Sequence, residues 1–379
     1  MNVVLTLSIA VSLVYSTLVA LLALFAGMRV RSAQAQRRHI RPHEGLPAVV
    51  VIVAARDEEL TLSDCLKALT AQDYPADKLT ILVAEDHSTD MTHEVATSFA
   101  QGKDLYPETP RVRVVTVPDP GEHLKSKANA IHTGVLASTE ELMLITDADC
   151  RPPSRWVRSM VDHFEADPSV GIVSGQTTVL GKRPNDHVQA LDWTFLLTGA
   201  SALAVMGLPI TAMGNNMGIR RSAYAAVGGY PCIPYSVTED YALFQAVHRH
   251  GIHKVRFPLD SALENTTLPL DRLWNVYEQR RRWAVGGSRA KFWVYGIYLL
   301  LSLGHLAPLI ALILAPVVGL GLLGTKILAD VLLIAAGPVG IDGRQGSILR
   351  FEAFLFAYCL TLPLAVARRA PVIWKGRKL

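Results

Sequence analysis

The stretch LPAVVVIVAAR at residues 46–56 indicates the fold class, because it is a β-branched apolar run without helical periodicity. Such a run is typical of a strand buried on both faces of a sheet. Three similar runs follow it: LTILVAED at 79–86, RVRVVTV at 111–117 and ELMLITDAD at 141–149. Segments with helical spacing separate these runs, and Pro75 ends the first of them. The alternation predicts an α/β fold with a doubly wound, mostly parallel sheet.

Two carboxylates lie where the fourth run ends. Sheets of this kind bind ligands at the carboxyl ends of their strands, and residues i and i+2 of a strand share a face. Asp147 and Asp149 would therefore point the same way at that edge. Such a pair could hold Mg²⁺ or Mn²⁺, with substrate phosphates completing the coordination shell. A turn or a helix cap is the alternative for so short a pattern.

Three further polar segments follow strand ends or open helices. Asp86, in the segment EDHSTD, could contact a ribose or base, or the segment could cap the next helix. Lys127 would face a bound anion if it opens a helix, and otherwise it is solvated. Asp240, beside Glu239 in the segment TED, could serve as a general base for an attacking alcohol, with helix capping as the alternative.

The segment QRRRW at 279–283 has a composition suited to a substrate site. On a helix, Gln279 shares a face with Arg282 and Trp283. An arginine in a cleft could hold a diphosphate leaving group, and an aromatic face could support a sugar or an acceptor. A polybasic membrane anchor would explain the arginines, although it would not require Gln279 or Trp283.

The composition places part of the chain in a membrane. Of 379 residues, 50% are hydrophobic and 18% are charged, whereas charged residues make up about 25% of an ordinary soluble protein. Residues 3–27 carry no charge, so residues 1–28 are expected to form an uncleaved transmembrane anchor rather than a signal peptide. Residues 29–290 would form the catalytic domain, and residues 291–379 a C-terminal transmembrane region with a basic tail.

Three apolar segments, at 292–323, 327–341 and 351–367, predict two to three C-terminal spans. Residues 191–213 are also apolar, and we expect them to lie on the membrane surface. Basic residues follow the N-terminal anchor and the last apolar segment, which predicts a multi-pass protein of the cell membrane with a cytoplasmic catalytic domain. These residues are Arg29, Arg31, Arg37, Arg38 and Arg41, and then Arg368, Arg369, Lys375, Arg377 and Lys378.

Charge and cysteine content exclude other classes. The net charge of +4 creates no global field for nucleic acid, so no nucleic-acid partner is expected. The four cysteines have no metal or redox spacing, and no disulfide framework is implied.

Taken together, the motifs resemble the membrane-integrated glycosyltransferases of family 2. This GT-A group includes the cellulose, chitin and hyaluronan synthases and ceramide glucosyltransferase. The resemblance runs from Val49 to Trp283, with the elements in the same order. It rests on VVIVAARDEE, EDHSTD, KSKANAIHTG, the DxD motif DAD, GNNMGIRRSAYAAVGGY, TED and the Q-x-x-R-W motif QRRRW.

The resemblance implies a role for each matching residue. Asp240 would be the catalytic base of an inverting displacement, and Asp149, helped by Asp147, would bind Mg²⁺ or Mn²⁺ on the donor diphosphate. The other substrate-binding residues would be Arg56, Glu58, Asp86, Lys127, Glu239, Gln279, Arg282 and Trp283. Three departures from the family pattern are Glu85 in place of the commoner aspartate, His87 in place of the usual glycine and Asp57 in place of the frequent asparagine.

The implied function is transfer of a sugar from a nucleotide-sugar donor, with a UDP-sugar expected, to a lipid acceptor at the cytoplasmic membrane face. The bilayer itself would be a partner. A processive polysaccharide synthase is the alternative within the family, because Q-x-x-R-W is prominent in such enzymes. A catalytically inactive membrane scaffold is the alternative from another class. The sequence leaves the sugar, the acceptor and the oligomeric state open.

Overall fold

The computed structural model describes residues 2–36, 45–102, 109–119, 121, 124–287, 292–367, 373–374 and 377–378. These residues form two compact units that alternate along the chain. The sheet unit comprises residues 36–178 and 211–268. The helical unit comprises residues 1–35, 179–210 and 269–379.

The strands of the described residues are, in chain order, β1 (Val49–Ala55), β2 (Leu79–Glu85), β3 (Arg111–Thr116), β4 (Leu142–Asp147), β5 (Cys150–Arg151), β6 (Val170–Ser174), β7 (Thr177–Val179), β8 (Asn216–Arg220), β9 (Lys254–Arg256), β10 (Asn265–Thr267), β11 (Ile373–Trp374) and β12 (Arg377–Lys378).

The helices are α1 (Val3–Gln36), α2 (Leu62–Thr70), α3 (Thr92–Gly102), α4 (Ser126–Leu136), α5 (Trp156–Glu165), α6 (Pro184–Val205), α7 (Arg221–Ala226), α8 (Gly229–Cys232), α9 (Glu239–His250), α10 (Leu273–Gly286), α11 (Phe292–Leu314), α12 (Pro316–Ala336) and α13 (Ile348–Ala367). Short 3₁₀ helices cover Ala76–Lys78, Ser261–Leu263 and Gln345–Ser347.

The sheet unit confirms the predicted α/β class. Its seven-stranded sheet has the order β3-β2-β1-β4-β8-β6-β9. Strands β1 to β4 are parallel, as is the β6–β9 pair, whereas β8 runs antiparallel to both of its neighbours. Ala54 is in register with Asp147, and Ala55 with Glu85. The carboxyl ends of β1, β2 and β4 therefore meet at one edge.

Apolar side chains cover both faces of this sheet. Val49, Val51 and Val53 face a core shared with α2 and α5, whereas Val50 and Ile52 face a core shared with α4 and α9. All of them are fully buried, and burying such a side chain contributes about 1.5–3 kcal/mol of transfer free energy. Burial on both faces explains why β1 is a continuous apolar run instead of an alternating one.

The helical unit contains the apolar helices. Four helices of the described residues are long and apolar enough to cross a membrane: Val3–Val30, Pro184–Val205, Val294–Leu314 and Pro316–Ala336. The N-terminal helix and the C-terminal ones agree with the prediction. Helix α6 contains most of the segment expected at the membrane surface. Residues 188–195 of this helix are all buried, so side chains on every face of the helix are covered. Its location relative to the membrane stays a prediction.

The C-terminal helices break at a different place from the apolar segments of the sequence. The first of those segments continues to residue 323, but α11 ends at Leu314 and α12 begins at Pro316. Proline lacks a backbone N–H and suits the first position of a helix, so it starts α12 instead of extending α11. Gly319 lets α12 approach the backbone of Leu312 closely. Residues 327–336 form the end of α12 instead of a separate helix.

Charged side chains are paired inside the helical unit. Lys326 of α12 contacts Asp330 at 2.8 Å and also forms an ion pair with Glu352 of α13. Tyr15 of α1 donates a hydrogen bond to Asp330 at 2.7 Å. We call Tyr15, Lys326, Asp330 and Glu352 the buried tetrad. It links three apolar helices through polar contacts.

The two units do not follow the boundaries expected from the sequence, because residues 179–210 and 269–287 group with the apolar helices. The boundaries of the functional domains stay a prediction. Several basic residues on which the predicted orientation depends lie outside the described residues: Arg37, Arg38, Arg41, Arg368, Arg369 and Lys375.

Candidate active site

The loops after β1 and β2 are joined by reciprocal hydrogen bonds in the sheet unit. Asp57 accepts from the backbone N–H of Thr89 at 2.8 Å, and Asp90 accepts from that of Glu59 at 3.1 Å. Asp90 also accepts from the backbone N–H of Thr92, the first residue of α3, at 3.0 Å. Within the EDHSTD segment, Asp90 is therefore the residue that caps the next helix.

Arg56 and Asp86 lie together beside these loops. The Arg56 guanidinium donates to the Asp86 carbonyl at 2.8 Å and lies 3.6 Å from its carboxylate. Asp86 is buried, and buried charges are usually paired in this way. Two residues predicted to bind the donor are thus held as a pair.

His87 adopts a backbone conformation that glycine usually supplies. Its φ is +54°, in the left-handed region. Asp57, another departure from the family pattern, has a φ of +49°. Glycine adopts this region freely, and asparagine and aspartate adopt it more readily than most other residues. Glycine would therefore occupy position 87 without strain, whereas aspartate suits position 57 as asparagine does.

The DAD motif lies partly on a strand and partly on a turn. Strand β4 ends at Asp147, and Asp149 occupies the turn before β5. The chain turns before Asp149, so the two carboxylates do not share a strand face, and the prediction that they would is wrong on this point. The two carboxylates still interact across the turn. Burial, and then the negative charges of Asp147 and Glu58, raise the pKa of Asp149 to about 6.

Lys127 links the DAD and TED motifs. It lies in the first turn of α4, as predicted, and its Nζ is 2.5 Å from Asp147 and 3.5 Å from Glu239. Burial alone would lower the pKa of Lys127, but the nearby carboxylates, Asp147 first, raise it above its usual value. The ammonium is therefore charged, and it contacts carboxylates instead of lying in solvent.

The carboxylate of Asp240 is held by two backbone N–H groups. Gly214 donates to its Oδ2 at 2.7 Å, and Tyr241 donates to its Oδ1 at 2.7 Å. A Cβ at position 214 would lie 2.6 Å from the Asp240 Cβ, so only glycine allows this approach. Thr238, the residue before α9, makes no side-chain capping bond. These contacts fix the carboxylate of Asp240, and one of them comes from the first turn of α9. The role of Asp240 as a base stays a prediction.

The asparagines after Gly214 support this arrangement, although neither was among the predicted site residues. Asn216 accepts a hydrogen bond from the Trp156 indole at 2.8 Å, and the Asn215 carbonyl accepts from Thr146 at 3.0 Å. Buried and satisfied networks of this kind rigidify their surroundings. Two adjacent asparagines at the start of β8 were the signal available in the sequence.

The carboxylates of the DAD motif suit a divalent cation that also binds substrate. The described residues contain no group of three or more His, Cys, Asp or Glu placed to hold a metal ion. Mg²⁺ commonly takes one or two carboxylates and completes its shell with water and substrate phosphates. Asp149 fits that role with Asp147 beside it, because a cation would stabilise the charged form that burial and the neighbouring carboxylates disfavour.

Helix α10 of the helical unit carries the remaining predicted residues, Gln279, Arg282 and Trp283. The centroid of the Trp283 ring lies 4.1 Å from the guanidinium carbon of Arg280 and 5.4 Å from the ring centroid of Trp193. Arg280 in turn forms a buried ion pair with Asp192 of α6. The roles of the three predicted residues in substrate binding stay predictions.

The residues predicted from the strand ends, DAD and TED all belong to the sheet unit. Within it, Lys127 contacts both Asp147 and Glu239, and Arg56 contacts Asp86. The whole set is Arg56, Glu58, Asp86, Lys127, Asp147, Asp149, Glu239 and Asp240.

Comparison with known proteins identifies the family. Residues 50–228 match the family described as Glycosyl transferase family 2, and residues 142–368 match Glycosyl transferase family group 2. The second match covers more than half of the chain and extends past the end of α13.

Two curated relatives are similar to this chain. The β-monoglucosyldiacylglycerol synthase of Synechocystis is 28% identical, over 64% of this chain and 48% of that protein. The poly-β-1,6-N-acetyl-D-glucosamine synthase of Staphylococcus aureus is 25% identical, over 64% of this chain and 55% of that protein. The chain therefore spans about half the length of the curated relatives it matches.

A solved structure with the same fold is the mannosyltransferase PcManGT of Pyrobaculum calidifontis, in complex with GDP-Man and Mn²⁺. It has a TM-score of 0.56 and 20% identity, and the match covers 94% of this chain and 99% of that chain. This likeness concerns the fold, which is the GT-A fold expected from the motifs. Because the matching family models cover most of the chain, including its site motifs, this chain belongs to glycosyltransferase family 2.

Proposed function

We propose that the protein is an inverting glycosyltransferase that moves one sugar from a nucleotide-sugar donor, a UDP-sugar, to a lipid acceptor at the cytoplasmic membrane face. The observation that carries the proposal is the Asp240 carboxylate, which two backbone N–H groups hold next to Glu239. Glu239 is linked through Lys127 to Asp147 of the DAD motif. Two charged contacts of Lys127 thus join the TED motif, which contains the candidate base, to the candidate diphosphate site.

The reaction is a single displacement at the anomeric carbon. The acceptor hydroxyl gives its proton to Asp240, and its oxygen forms the new bond to the sugar. The bond from the sugar to the nucleoside diphosphate breaks at the same time, and the diphosphate leaves with the bonding electrons. Attack from the opposite face inverts the anomeric centre.

Asp149 and Asp147 would hold Mg²⁺ or Mn²⁺ against the donor diphosphate. Such an ion supplies charge neutralisation for the leaving group. Lys127 provides fixed positive charge beside the carboxylate of Asp147. Arg56 orients Asp86, which we assign to the nucleotide.

The helical unit and one of the curated relatives support a lipid acceptor. Four of its described helices are apolar enough to cross a membrane. The Synechocystis relative is named for synthesis of a glucosyl diacylglycerol. The basic residues after the first apolar helix favour a cytoplasmic catalytic domain.

Product analysis tests the proposal. Detergent-purified protein is incubated with a UDP-hexose, Mn²⁺ or Mg²⁺, and total membrane lipid, and the products are read by mass spectrometry. One lipid species gaining a single hexose mass, with release of nucleoside diphosphate, is the expected result. No nucleoside diphosphate release with any common donor, metal or lipid would contradict it and favour the scaffold interpretation.

A polysaccharide synthase is the second candidate. The Staphylococcus relative is named for synthesis of a polymer, and Gln279, Arg282 and Trp283 form the Q-x-x-R-W motif. A ladder of products that differ by one sugar would favour this candidate over the lipid glycosyltransferase.

A further inference from the structure

The buried hydroxyl of Tyr230 stands out among the described residues. Its side chain is 3% exposed, and among the described residues its Oη has no hydrogen-bond partner. An unsatisfied buried hydroxyl is costly, so native proteins rarely keep one without a reason. Phenylalanine would fill the same space without this cost.

The position of Tyr230 is fixed by its neighbours. Its backbone N–H donates to the Tyr224 hydroxyl at 3.0 Å, and the two rings meet edge to face with centroids 5.8 Å apart. The Tyr224 hydroxyl is also 2.9 Å from Nδ1 of His132. The two tyrosines therefore differ in their hydrogen bonding. The hydroxyl of Tyr224 has partners inside the protein, and that of Tyr230 has none among the described residues.

Tyr230 and Glu239 line the same narrow cavity of the sheet unit. Burial, and then the charges of Glu239, Tyr224 and Asp240, raise the pKa of Tyr230 well above its usual value. The hydroxyl is therefore protonated at physiological pH, and it can donate a hydrogen bond near the TED carboxylates.

The rest of the cavity wall is largely apolar. It is formed mainly by Leu124, Ala128, Ile233, Pro234 and Tyr235. Among the described residues no lysine or arginine lines it, so it suits a donor diphosphate poorly. Tyr230, Ser236 and Glu239 add polar side chains to this wall, so a hydroxyl group on a carbon chain suits the cavity better than a diphosphate does.

We propose that Tyr230 donates a hydrogen bond to the acceptor and positions the attacking hydroxyl beside Asp240. This inference rests on the proposed function and names a residue of its acceptor subsite. Tyr230 is a positioning residue, since Asp240 takes the proton.

The test compares Tyr230→Phe with Tyr224→Phe and with the wild-type protein. Transfer rates are measured over a range of lipid acceptor and donor concentrations, and thermal unfolding is followed in the same detergent. For Tyr230→Phe we expect kcat/KM for the acceptor to fall about tenfold, the loss expected for one hydrogen bond. Its donor KM stays unchanged, and its Tm is equal to or above that of the wild type. Tyr224→Phe should have a lower Tm, because its hydroxyl has internal partners.

Three results would overturn the inference. They are unchanged acceptor kinetics in Tyr230→Phe, a rise in its donor KM that accounts for the whole loss, and a fall in its Tm like that of Tyr224→Phe. A Tyr230→Phe protein that does not fold also counts against the inference, because the hydroxyl would then have an internal structural role. The wild-type reaction with lipid tests the proposed function separately, so the two failures are distinguishable.

Discussion

His87 has a left-handed backbone conformation in which any Cβ causes strain. In the left-handed region, where its φ of +54° lies, the Cβ of an L residue crowds the following carbonyl oxygen. The imidazole lies half-exposed, 3.6 Å from the carboxylate of Asp119. The strain is therefore local, and it can be removed without disturbing the core.

Replacing His87 by glycine should stabilise the protein by about 1 kcal/mol, because glycine removes the left-handed strain. His87→Ala is the matched control. It removes the same imidazole and its contact with Asp119 but keeps the Cβ. Thermal and chemical unfolding of the two variants are compared, and an equal stability for both would contradict backbone strain at this position.

Several residues of the candidate site could be named from the sequence because each motif follows a strand or opens a helix. Asp86, Lys127 and Asp147 were found in this way. Tyr230 could not be predicted from the sequence, because an aromatic residue is ordinarily part of the hydrophobic core. Its unpartnered hydroxyl is visible only when its neighbours are known.

At the scale of elements, the segment before β8 positions the start of α9. Gly214 approaches the Asp240 side chain so closely that a Cβ would lie 2.6 Å from the Asp240 Cβ and 2.8 Å from its Oδ2. The hydrogen bond from Gly214 depends on that approach. The resemblance included this segment, but neither its sequence nor its spacing indicated contact with the TED motif.

Gly214→Ala should therefore lower kcat by about 10²-fold through displacement of the carboxylate. Gly102→Ala is the control, since a Cβ there meets nothing within 4 Å. Donor binding should be similar in both variants. Full activity in Gly214→Ala would show that the position of Asp240 does not depend on this contact.

In the helical unit, the buried tetrad holds apolar helices together by contacts between side chains. Lys326 is fully buried and pairs with two carboxylates, one on its own helix and one on α13. The sequence predicted the apolar segments but not this cluster, because its four residues are distributed over three helices. The start of α12 at Pro316 was not predicted either. Hydropathy does not show where a proline begins a new helix.

Lys326→Met should destabilise the helical unit by about 3–5 kcal/mol, because it leaves buried carboxylates unpaired. Leu328→Met serves as the control, since this side chain is 58% exposed on the same helix. Thermal unfolding in detergent is the measurement. Equal melting temperatures for the two variants would contradict a stabilising role for the tetrad.

At the scale of the whole molecule, the chain alternates between a sheet unit and a helical unit. The α/β class and the presence of apolar helices at both ends could be predicted from runs of apolar residues. The grouping of residues 179–210 with the apolar helices could not, because it depends on which helices pack together.

The orientation of the sheet unit can be tested with Cys232, which is exposed, whereas Cys65 and Cys150 are buried. A membrane-impermeant maleimide should label Cys232 in inside-out vesicles but not in intact cells, because the basic flanks favour a cytoplasmic sheet unit. Cys232→Ser identifies the labelled site. Labelling of intact cells that is lost in Cys232→Ser would contradict the predicted orientation.

The central claim is that Asp240 takes the acceptor proton in a sugar transfer. The most direct measurement is the rate of sugar transfer to lipid by Asp240→Asn, together with its affinity for the donor. Asp271→Asn is the control, because the side chain of Asp271 is 85% exposed. We expect a loss of about 10²–10⁴-fold in transfer with donor affinity nearly unchanged, and no loss in the control. Transfer by Asp240→Asn at the wild-type rate would contradict the claim.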